Sequence, residues 1–284
     1  MPSEQQILAR LGARALRPGE ADYPAGVAQL PDAPTLYLRG TLPACPAIAI
    51  VGSRAASREG RETTAELAAV AVKSGRWVVS GGAVGIDTAA HKGALAAGGR
   101  TVAVLGSGLD DPYPPRNHDL LERIVLSGAL LSPFAPRTPP RRWHFPRRNR
   151  VIAAFASAIV VVEASLRSGS LITARIGLEL GRPVFAVPGS AGCHRILVEG
   201  AVGVERAADL IAALDGRAAP RAHPPRPRTE GAARLLERLD EKPRDADALA
   251  GAAGLPPSDA SVALLELELE GLAVRARGGY VRGG

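Results

Sequence analysis

The chain has 284 residues, of which 46% are hydrophobic and only 4% aromatic, and its formal net charge is +7 at pH 7. This length allows one domain of ~200 residues with a full core and a smaller appended domain, and the positive charge favours an anionic partner. Two cysteines, Cys45 and Cys193, are too few for a metal cluster or a disulfide framework, which predicts a cytoplasmic location. We find no secretion signal and no run of about 18 apolar residues, so we expect no association with a membrane.

Residues 1–45 are rich in proline and glycine, and only the stretch around 7–16 is weakly amphipathic. We expect a short helix there, followed by an extended lead-in whose Tyr37 and Leu38 pack on the main domain. Nothing else in this segment shows a period from which a regular element is predicted.

The main domain is predicted over residues 46–214, where short apolar runs alternate with stretches of helical period. The runs occupy residues 47–52, 77–82, 101–106, 129–132, 158–163 and 183–189. A strand that is covered on both faces must be apolar at nearly every position. The fold class is therefore α/β, with a parallel sheet and helices on both of its faces.

A second, smaller domain is predicted after a linker. Residues 215–229 contain four prolines and four arginines without apolar periodicity, which indicates a semi-extended basic linker. Residues 230–284 predict three helices, with Asp245 near the cap of the second, and then a hairpin that turns at Gly278 and Gly279. Three helices followed by a hairpin are the order of a winged helix.

The third helix of this small domain is a poor match for a DNA-binding helix. It carries Glu266, Glu268 and Glu270 and no arginine, whereas a recognition helix needs donors for phosphates and base edges. The wing is better suited to DNA, because it contains three arginines: Arg275, Arg277 and Arg282. Binding of a protein is at least as compatible with this domain as binding of DNA.

The turn after the first predicted strand reads VGSR, residues 51–54. Gly52 permits a tight turn, and Ser53 and Arg54 follow it at the carboxyl edge of the sheet, beside the N–H groups that begin a helix. This is not the GxGxxG of a dinucleotide site, and Arg54 would occupy the space of a pyrophosphate. We expect a phosphate held by a side chain, the alternative being an arginine that caps a neighbouring carbonyl.

The turn after the second strand reads SGGAVGID, residues 80–87. Its three glycines permit close approach of a ligand to the backbone, although many such folds have glycine-rich turns here. We expect Asp87 to cap the helix that carries His91 and Lys92. His91 is predicted to be a packed or capping residue and not a catalytic base.

Two later turns add polar groups at the same edge. Arg116 and Asn117 are predicted to begin the helix that follows a long, proline-rich turn. After the fifth strand, hydroxyl and backbone N–H groups at a helix N-terminus are suited to phosphate. They belong to Ser168, Gly169, Ser170 and Thr173.

Residues 141–150, RRWHFPRRNR, carry five arginines together with Trp143 and Phe145, in a chain with only two tryptophans and four phenylalanines. Arginines neutralise phosphates, and aromatic and guanidinium planes stack on unpaired bases, as single-stranded nucleic acid requires. The alternative is a solvated basic loop whose aromatic side chains are turned into the core.

The motifs VGSR, SGGAVGID, TVAVLGSGLD with YPxxN, HFPRRNRVIA, EASLRSGSLITAR and RPVFAVPGS follow one another along the chain. In order and spacing they closely resemble the DprA/Smf family of bacterial DNA-processing proteins, over residues from about 20 to about 205. The tail resembles the winged helix that many members carry. The resemblance implies an extended Rossmann-like domain that binds single-stranded DNA, forms a homodimer and loads the RecA recombinase during natural transformation.

The resemblance also implies which residues bind DNA. They are Ser53, Arg54, Arg116, Asn117, Phe145, Arg148, Asn149, Arg150 and the segment Ser168–Ser170. Dimerisation and RecA contact are expected around residues 193–201. The chain departs from the family in two respects. The sterile-alpha-motif-like N-terminal domain of the family is expected to be reduced or missing in residues 1–45. After the fourth predicted strand, Ser132-Pro133 stands where family members usually have Ser-Glu.

Two other classes of function are alternatives to this one. A transcriptional regulator would use the winged helix on duplex DNA and sense a phosphorylated ligand in the main domain. A nucleotide-processing enzyme, such as a lysine-decarboxylase-like phosphoribohydrolase, needs a PGGxGTxxE signature that the sequence lacks. The sequence also lacks a Walker A motif and metal-ligand spacing, and Glu163 is interpreted as structural or donor-orienting, so we expect no catalysis, cofactor or metal.

Overall fold

The computed structural model describes residues 2–215, 227, 229–240, 242–276 and 278–283. The predicted linker at 215–229 therefore lies almost entirely outside the described residues. Within them, one nine-stranded sheet and a separate two-stranded sheet are present. No helix in the described part of the chain is both long and apolar enough to cross a membrane.

Six strands form the centre of the large sheet, at the six apolar runs of the sequence. They are β3 (Ala47–Val51), β4 (Trp77–Ser80), β5 (Thr101–Val104), β6 (Ala129–Ser132), β7 (Ala158–Val161) and β8 (Val184–Ala186). Every residue of these strands is buried, and neighbouring strands among them are parallel. The inference from uninterrupted apolar runs to a parallel sheet that is covered on both faces is confirmed.

The first 45 residues differ from the expected helix and extended lead-in, because they add two strands to the sheet. They contain α1 (Glu4–Leu11), β1 (Ala13–Leu16), α2 (Ala25–Ala28) and β2 (Leu36–Gly40). Strand β2 pairs antiparallel with β6, and β1 pairs antiparallel with β2. Tyr37 and Leu38 thus pack on the main domain as members of the second strand of its sheet, and both are buried. At the opposite edge, the short β9 (Val202–Gly203) pairs parallel with β8.

Helices cover both faces of the sheet. One face is covered by α3 (Arg58–Lys73), α4 (Ile86–Ala96), α5 (His118–Ser127) and α9 (Ala207–Leu214). The other is covered by α2 together with α6 (His144–Phe155), α7 (Gly169–Glu179) and α8 (Ala191–Val198). The result is a three-layer α/β/α arrangement around the buried strands.

The strand order creates a crevice at one place on the carboxyl edge. The order is β1-β2-β6-β5-β4-β3-β7-β8-β9, so the chain builds the sheet in one direction from β3 and returns to its other side with β7. In open α/β sheets, ligands bind outside the carboxyl ends of the strands where the order reverses. The turns that follow β3 and β7 therefore border this crevice.

The C-terminal residues form a winged helix with its own core. Its elements are α10 (Glu230–Arg238), α11 (Ala246–Ala253), α12 (Pro257–Leu269), β10 (Ala273–Ala276) and β11 (Gly279–Arg282). Asp245 caps α11 as predicted, since its side chain accepts a hydrogen bond from Ala248 N. Gly278 lies in the turn of the hairpin and Gly279 begins β11, whereas Arg277 lies outside the described residues.

Candidate nucleic-acid interface

A cavity of about 660 Å³ opens at the point where the strand order reverses. The turns after β3 and β7 and the first turns of α6 and α7 form its walls. It is lined by nine of the twelve predicted site residues: Ser53, Arg54, Phe145, Arg148, Asn149, Ser168, Gly169, Ser170 and Thr173. The structure thus brings together side chains that are more than one hundred positions apart in sequence.

Backbone hydrogen bonds hold the turns of this edge against one another. Ser53 N donates to Glu163 O at 2.6 Å, and Ile86 N donates to Ser53 O at 3.1 Å. Gly52 lies where these turns meet, and a Cβ there would stand 2.8 Å from Glu163 O. A side chain at position 52 would therefore separate the two turns that position Ser53 and Arg54.

Helix α3 begins beside the cavity, but its N-terminus already holds an anion. Glu163 Oε2 accepts hydrogen bonds from Ser57 N at 3.0 Å and from Ser57 Oγ at 3.1 Å. A carboxylate in this place accepts from the N–H group of the N-cap residue and complements the dipole of the helix. Glu163 therefore orients donors, as the sequence indicated, and a phosphate near Ser53 must be held by side chains.

The N-terminus of α7 faces the cavity with hydroxyl groups. Ser168 is the N-cap, and its Oγ accepts from Ser170 N at 3.3 Å and lies 2.7 Å from Ser170 Oγ. Gly169 is exposed, whereas Ser170 and Thr173 are buried beneath it. The positive end of the helix dipole and these hydroxyls make a surface that is suited to an anion.

Arg148 forms the floor of the cavity and is only 4% exposed. Its Nη1 donates to Val104 O at 2.6 Å and to Gly81 O, and its Nε donates to Asn149 Oδ1 at 3.1 Å. Burial lowers its pKa to about 10, and the neighbouring Arg54 acts in the same direction. The guanidinium remains charged at neutral pH. It therefore contributes positive potential at the floor of the cavity while it donates hydrogen bonds to backbone carbonyls.

Asp87 is buried beside Arg148 and does not cap α4 as expected. Its Oδ2 accepts from Gly81 N at 3.1 Å and from Ala83 N at 3.2 Å, so it fixes the glycine-rich turn, and the residue that precedes α4 is Gly85. Burial raises the pKa of Asp87, and Arg148 opposes this rise.

Arg54 and Phe145 form a pair at the mouth of the cavity. The Arg54 Cζ lies 4.8 Å from the centroid of the Phe145 ring, within the range of a cation–π contact. The ring is half-buried and packs closely on Gly106, where a Cβ would stand 3.0 Å from Phe145 Cδ1. Phe145 therefore packs against the exposed guanidinium of Arg54, and both side chains line the cavity.

Three predicted residues lie outside this cavity. Asn117 is buried, and its Nδ2 donates to Gly82 O at 2.9 Å and to Thr88 Oγ1 at 2.9 Å, so it braces the glycine-rich turn. Arg150 points away on α6, and its Nη2 lies 3.4 Å from Asp32 Oδ1. Arg116 lines a smaller cavity next to the large one.

Two residues at this edge were not among the twelve predicted site residues. Arg142 lines the large cavity, although it lies outside the family-like motif in the basic decapeptide. Tyr113 lines the smaller cavity with 41% of its surface exposed, and its only signal in the sequence was the YPxxN motif. Trp143 is 65% exposed and lines neither cavity.

Two family models match the chain. The model of DNA recombination-mediator protein A matches residues 14–215, and the model of the DprA winged helix domain matches residues 219–279. The first match alone covers more than half of the sequence.

Known proteins are similar to most of the chain. DNA processing protein DprA from Streptococcus pneumoniae is 42% identical over 202 residues, which are 68% of this chain and 71% of that protein. Protein Smf from Escherichia coli is 37% identical over 279 residues, which are 92% of this chain and 75% of that protein. Across its curated relatives, the chain spans between 53% and 75% of their length.

One solved structure adds a statement about DNA. DNA processing protein A from Helicobacter pylori, whose structure concerns a unique single-stranded DNA binding mode, aligns with a TM-score of 0.65 at 29% identity. The alignment covers 72% of this chain and 96% of that chain.

Proposed function

The chain belongs to the DNA recombination-mediator protein A family, whose relatives are named DprA or Smf, and we propose on this premise that it binds single-stranded DNA in the cavity at the strand-order reversal. In this proposal it protects incoming single strands and loads the RecA recombinase onto them during natural transformation. It acts in the cytoplasm as a homodimer and turns over no substrate.

The observation that carries the proposal is the exposed guanidinium of Arg54, held on the Phe145 ring opposite the N-terminus of α7. Phosphates attract arginine side chains and helix N-termini, and planar groups stack on unpaired bases. In a duplex the bases are paired and stacked, so these planar groups would find no base face to contact. The arrangement therefore favours a single strand.

We predict that oligo-dT binds more tightly than a duplex of equal length, and that its affinity falls steeply with salt. Each neutralised phosphate contributes a slope of roughly −0.7 in log affinity against log salt for a single strand. Fluorescence anisotropy across a salt series measures both quantities. Equal affinity for the two forms of DNA would contradict the proposal and favour a regulator that acts on duplex DNA.

The substitution Arg54→Ala tests whether this cavity is the DNA-binding site. It should weaken oligo-dT binding by about tenfold, which corresponds to ~1.4 kcal/mol, and make the salt slope shallower by roughly 0.7. Arg17→Ala is the control, because Arg17 is an exposed arginine that follows edge strand β1, away from the cavity. An unchanged affinity in a folded Arg54→Ala protein would remove Arg54 from the site.

RecA loading needs a separate assay. RecA filament assembly on single strands covered by single-strand-binding protein should accelerate when the chain is added. If the chain bound single-stranded DNA without accelerating RecA filament assembly, it would be a passive DNA-binding protein and not a RecA loader. The dimer and RecA contacts are proposed for residues 193–201, which include most of α8.

A further inference from the structure

Trp143 lies outside both cavities, at the N-cap of α6, and 65% of its surface is exposed. Arg142, the residue before it, lines the large cavity. Consecutive Cα atoms are about 3.8 Å apart, so Trp143 stands directly beside the rim formed by Arg142. A strand that leaves the large cavity past Arg142 therefore meets the Trp143 ring next.

Ring contacts join Trp143 to the hydrophobic core. Its ring meets the His144 ring edge-on, with centroids 6.0 Å apart and an angle of 82° between the planes. The His144 ring in turn stacks on Phe134 at 4.2 Å, and Phe134 is only 7% exposed. Trp143 is thus supported from one edge and keeps most of its surface open. Such a rigid ring offers a large contact area to a ligand at a low cost in conformational entropy.

Two exposed arginines accompany this ring. Arg141 Cζ lies 5.3 Å from the centroid of the Trp143 ring, in a cation–π contact. Arg147 follows Trp143 by four residues, so it shares the same side of α6, and its Cζ lies 5.9 Å from the Phe134 ring. Within the part of the chain that the structure describes, neither arginine forms an ion pair. Both guanidinium groups are therefore available to phosphates.

The charge of this segment favours a nucleic acid over a protein as its occupant. Residues 134–150 contain six arginines and neither aspartate nor glutamate. A protein partner would need both acidic and apolar side chains to match the arginines and the ring. Every nucleotide of a single strand carries a phosphate and an unpaired base, and thus matches both.

We propose that Trp143, Arg141 and Arg147 form an outer platform for single-stranded DNA, on which a base stacks after the strand has left the large cavity. The inference rests on the proposed function and extends the binding site along the outside of α6. The Trp143 ring supplies an uncharged contact that depends on the presence of a base. Arg141 and Arg147 neutralise the neighbouring phosphates.

Fluorescence tests the contact directly, because the chain has only two tryptophans. The other one, Trp77, is 8% exposed on β4, so in a Trp77→Phe protein only Trp143 contributes tryptophan emission. Oligo-dT should quench this emission and shield the ring from acrylamide. An oligomer of abasic deoxyribose phosphates, of equal length and charge, should bind without quenching it. An emission that saturating oligo-dT leaves unchanged would overturn the outer platform.

Affinity measurements test how much the platform contributes. Trp143→Ala should weaken oligo-dT binding by roughly 5- to 30-fold, the loss expected for one base–aromatic stack, with the salt slope and the affinity for the abasic oligomer unchanged. Trp143→Phe should retain most of the oligo-dT affinity. Arg147→Ala should instead make the salt slope shallower by roughly 0.7. Leu126→Ala is the control, since Leu126 is 87% exposed on α5 and lines neither cavity.

Equal oligo-dT affinity for Trp143→Ala and the natural protein would overturn the platform, as would an equal loss on oligo-dT and on the abasic oligomer. The proposed function fails in a different way, namely when the natural protein does not bind oligo-dT at all. If Arg54→Ala weakens binding and the Trp143 variants do not, the large cavity remains the binding site. Only the outer platform is then wrong, and the exposed ring is left to a protein partner.

Discussion

Gly81 is the residue on which the floor of the large cavity depends. An ideal Cβ at this position would stand 2.0 Å from Arg148 Nη1 and 2.5 Å from Arg148 Cζ. Arg148 is buried and bonded to backbone carbonyls, so its guanidinium has no room to move aside. The glycine is required here by the close approach of another side chain.

We predict that Gly81→Ala lowers the free energy of unfolding by ~1–3 kcal/mol, as expected for overpacking, and weakens oligo-dT binding several-fold through the displaced charge. Urea denaturation and anisotropy measure the two effects. Gly251→Ala is the control, because Gly251 lies within α11 with nothing within 4 Å of its Cβ position. That change should be neutral or stabilise the protein by roughly 0.5–1 kcal/mol. If the Gly81→Ala protein matched the Gly251→Ala protein in stability and in oligo-dT affinity, the glycine-rich turn would have adapted to the added methyl group.

At the residue scale, the sequence predicted which residues lie near the site better than it predicted where their side chains point. It assigned both Arg148 and Arg150 to the DNA-binding site, but residues two positions apart on an α-helix point about 200° apart. Arg148 is therefore buried beneath the cavity, and Arg150 faces Asp32 instead. Asn117 was predicted to bind DNA. Its side chain instead forms hydrogen bonds to the glycine-rich turn, and this contact between two loops cannot be inferred from a local sequence pattern.

At the scale of the elements, the packing of α4 on the sheet depends on an uncharged histidine. His91 is fully buried, and its Nδ1 lies 2.8 Å from Thr101 Oγ1 on β5, which itself donates to Val78 O. His91 Nε2 has no hydrogen-bond partner among the described residues. Burial, with a smaller effect of Arg148, lowers the pKa of His91 to about 3, so the packed, non-catalytic role predicted for it fits.

This shift makes stability depend on pH. In the unfolded chain, His91 takes up a proton near its ordinary pKa of 6.5, whereas the folded protein keeps it neutral down to about pH 3. Stability is therefore complete above pH 6.5 and is lost as the pH falls from 6.5 towards 3. The loss by about pH 5 is roughly 2 kcal/mol from this residue alone.

His91→Asn isolates the contribution of His91. The variant should be less stable at about pH 7.5, because it leaves a void, but its stability should fall by roughly 2 kcal/mol less than that of the natural protein between about pH 7.5 and about pH 5. Urea denaturation at the two pH values measures the difference. Parallel losses in the two proteins would show that His91 is not the group responsible.

The sequence predicted best the strands that are buried on both faces, because such strands are continuous apolar runs in the sequence. All six inner strands were found in this way. Strands β1 and β2 were missed because they keep polar residues, such as Arg39 of β2, whose guanidinium pairs with Glu122 of α5 at 2.6 Å. Their place is set by pairing between β2 and β6, some ninety residues apart, which periodicity cannot indicate.

At the scale of the whole molecule, the charge of +7 is distributed unevenly. Arg54, Arg142 and Arg148 converge on the cavity of the main domain. Helix α12, which occupies the position of a recognition helix in the winged helix, instead exposes an apolar stripe. Val262, Leu265 and Leu269 are 68%, 54% and 59% exposed on it. Phosphates would find no donor on these side chains, whereas exposed apolar patches are typical of protein contacts.

We therefore predict that a protein carrying Val262→Ser, Leu265→Ser and Leu269→Ser binds oligo-dT and duplex DNA with the affinities of the natural protein. The three side chains contribute little to the core of the winged helix, so circular dichroism should show an unchanged fold. Anisotropy with both forms of DNA, run beside Arg54→Ala, separates the roles of the two domains. A folded triple variant that lost affinity for either DNA would place α12 on the nucleic acid, and the division between a DNA-binding main domain and a protein-binding winged helix would then be wrong.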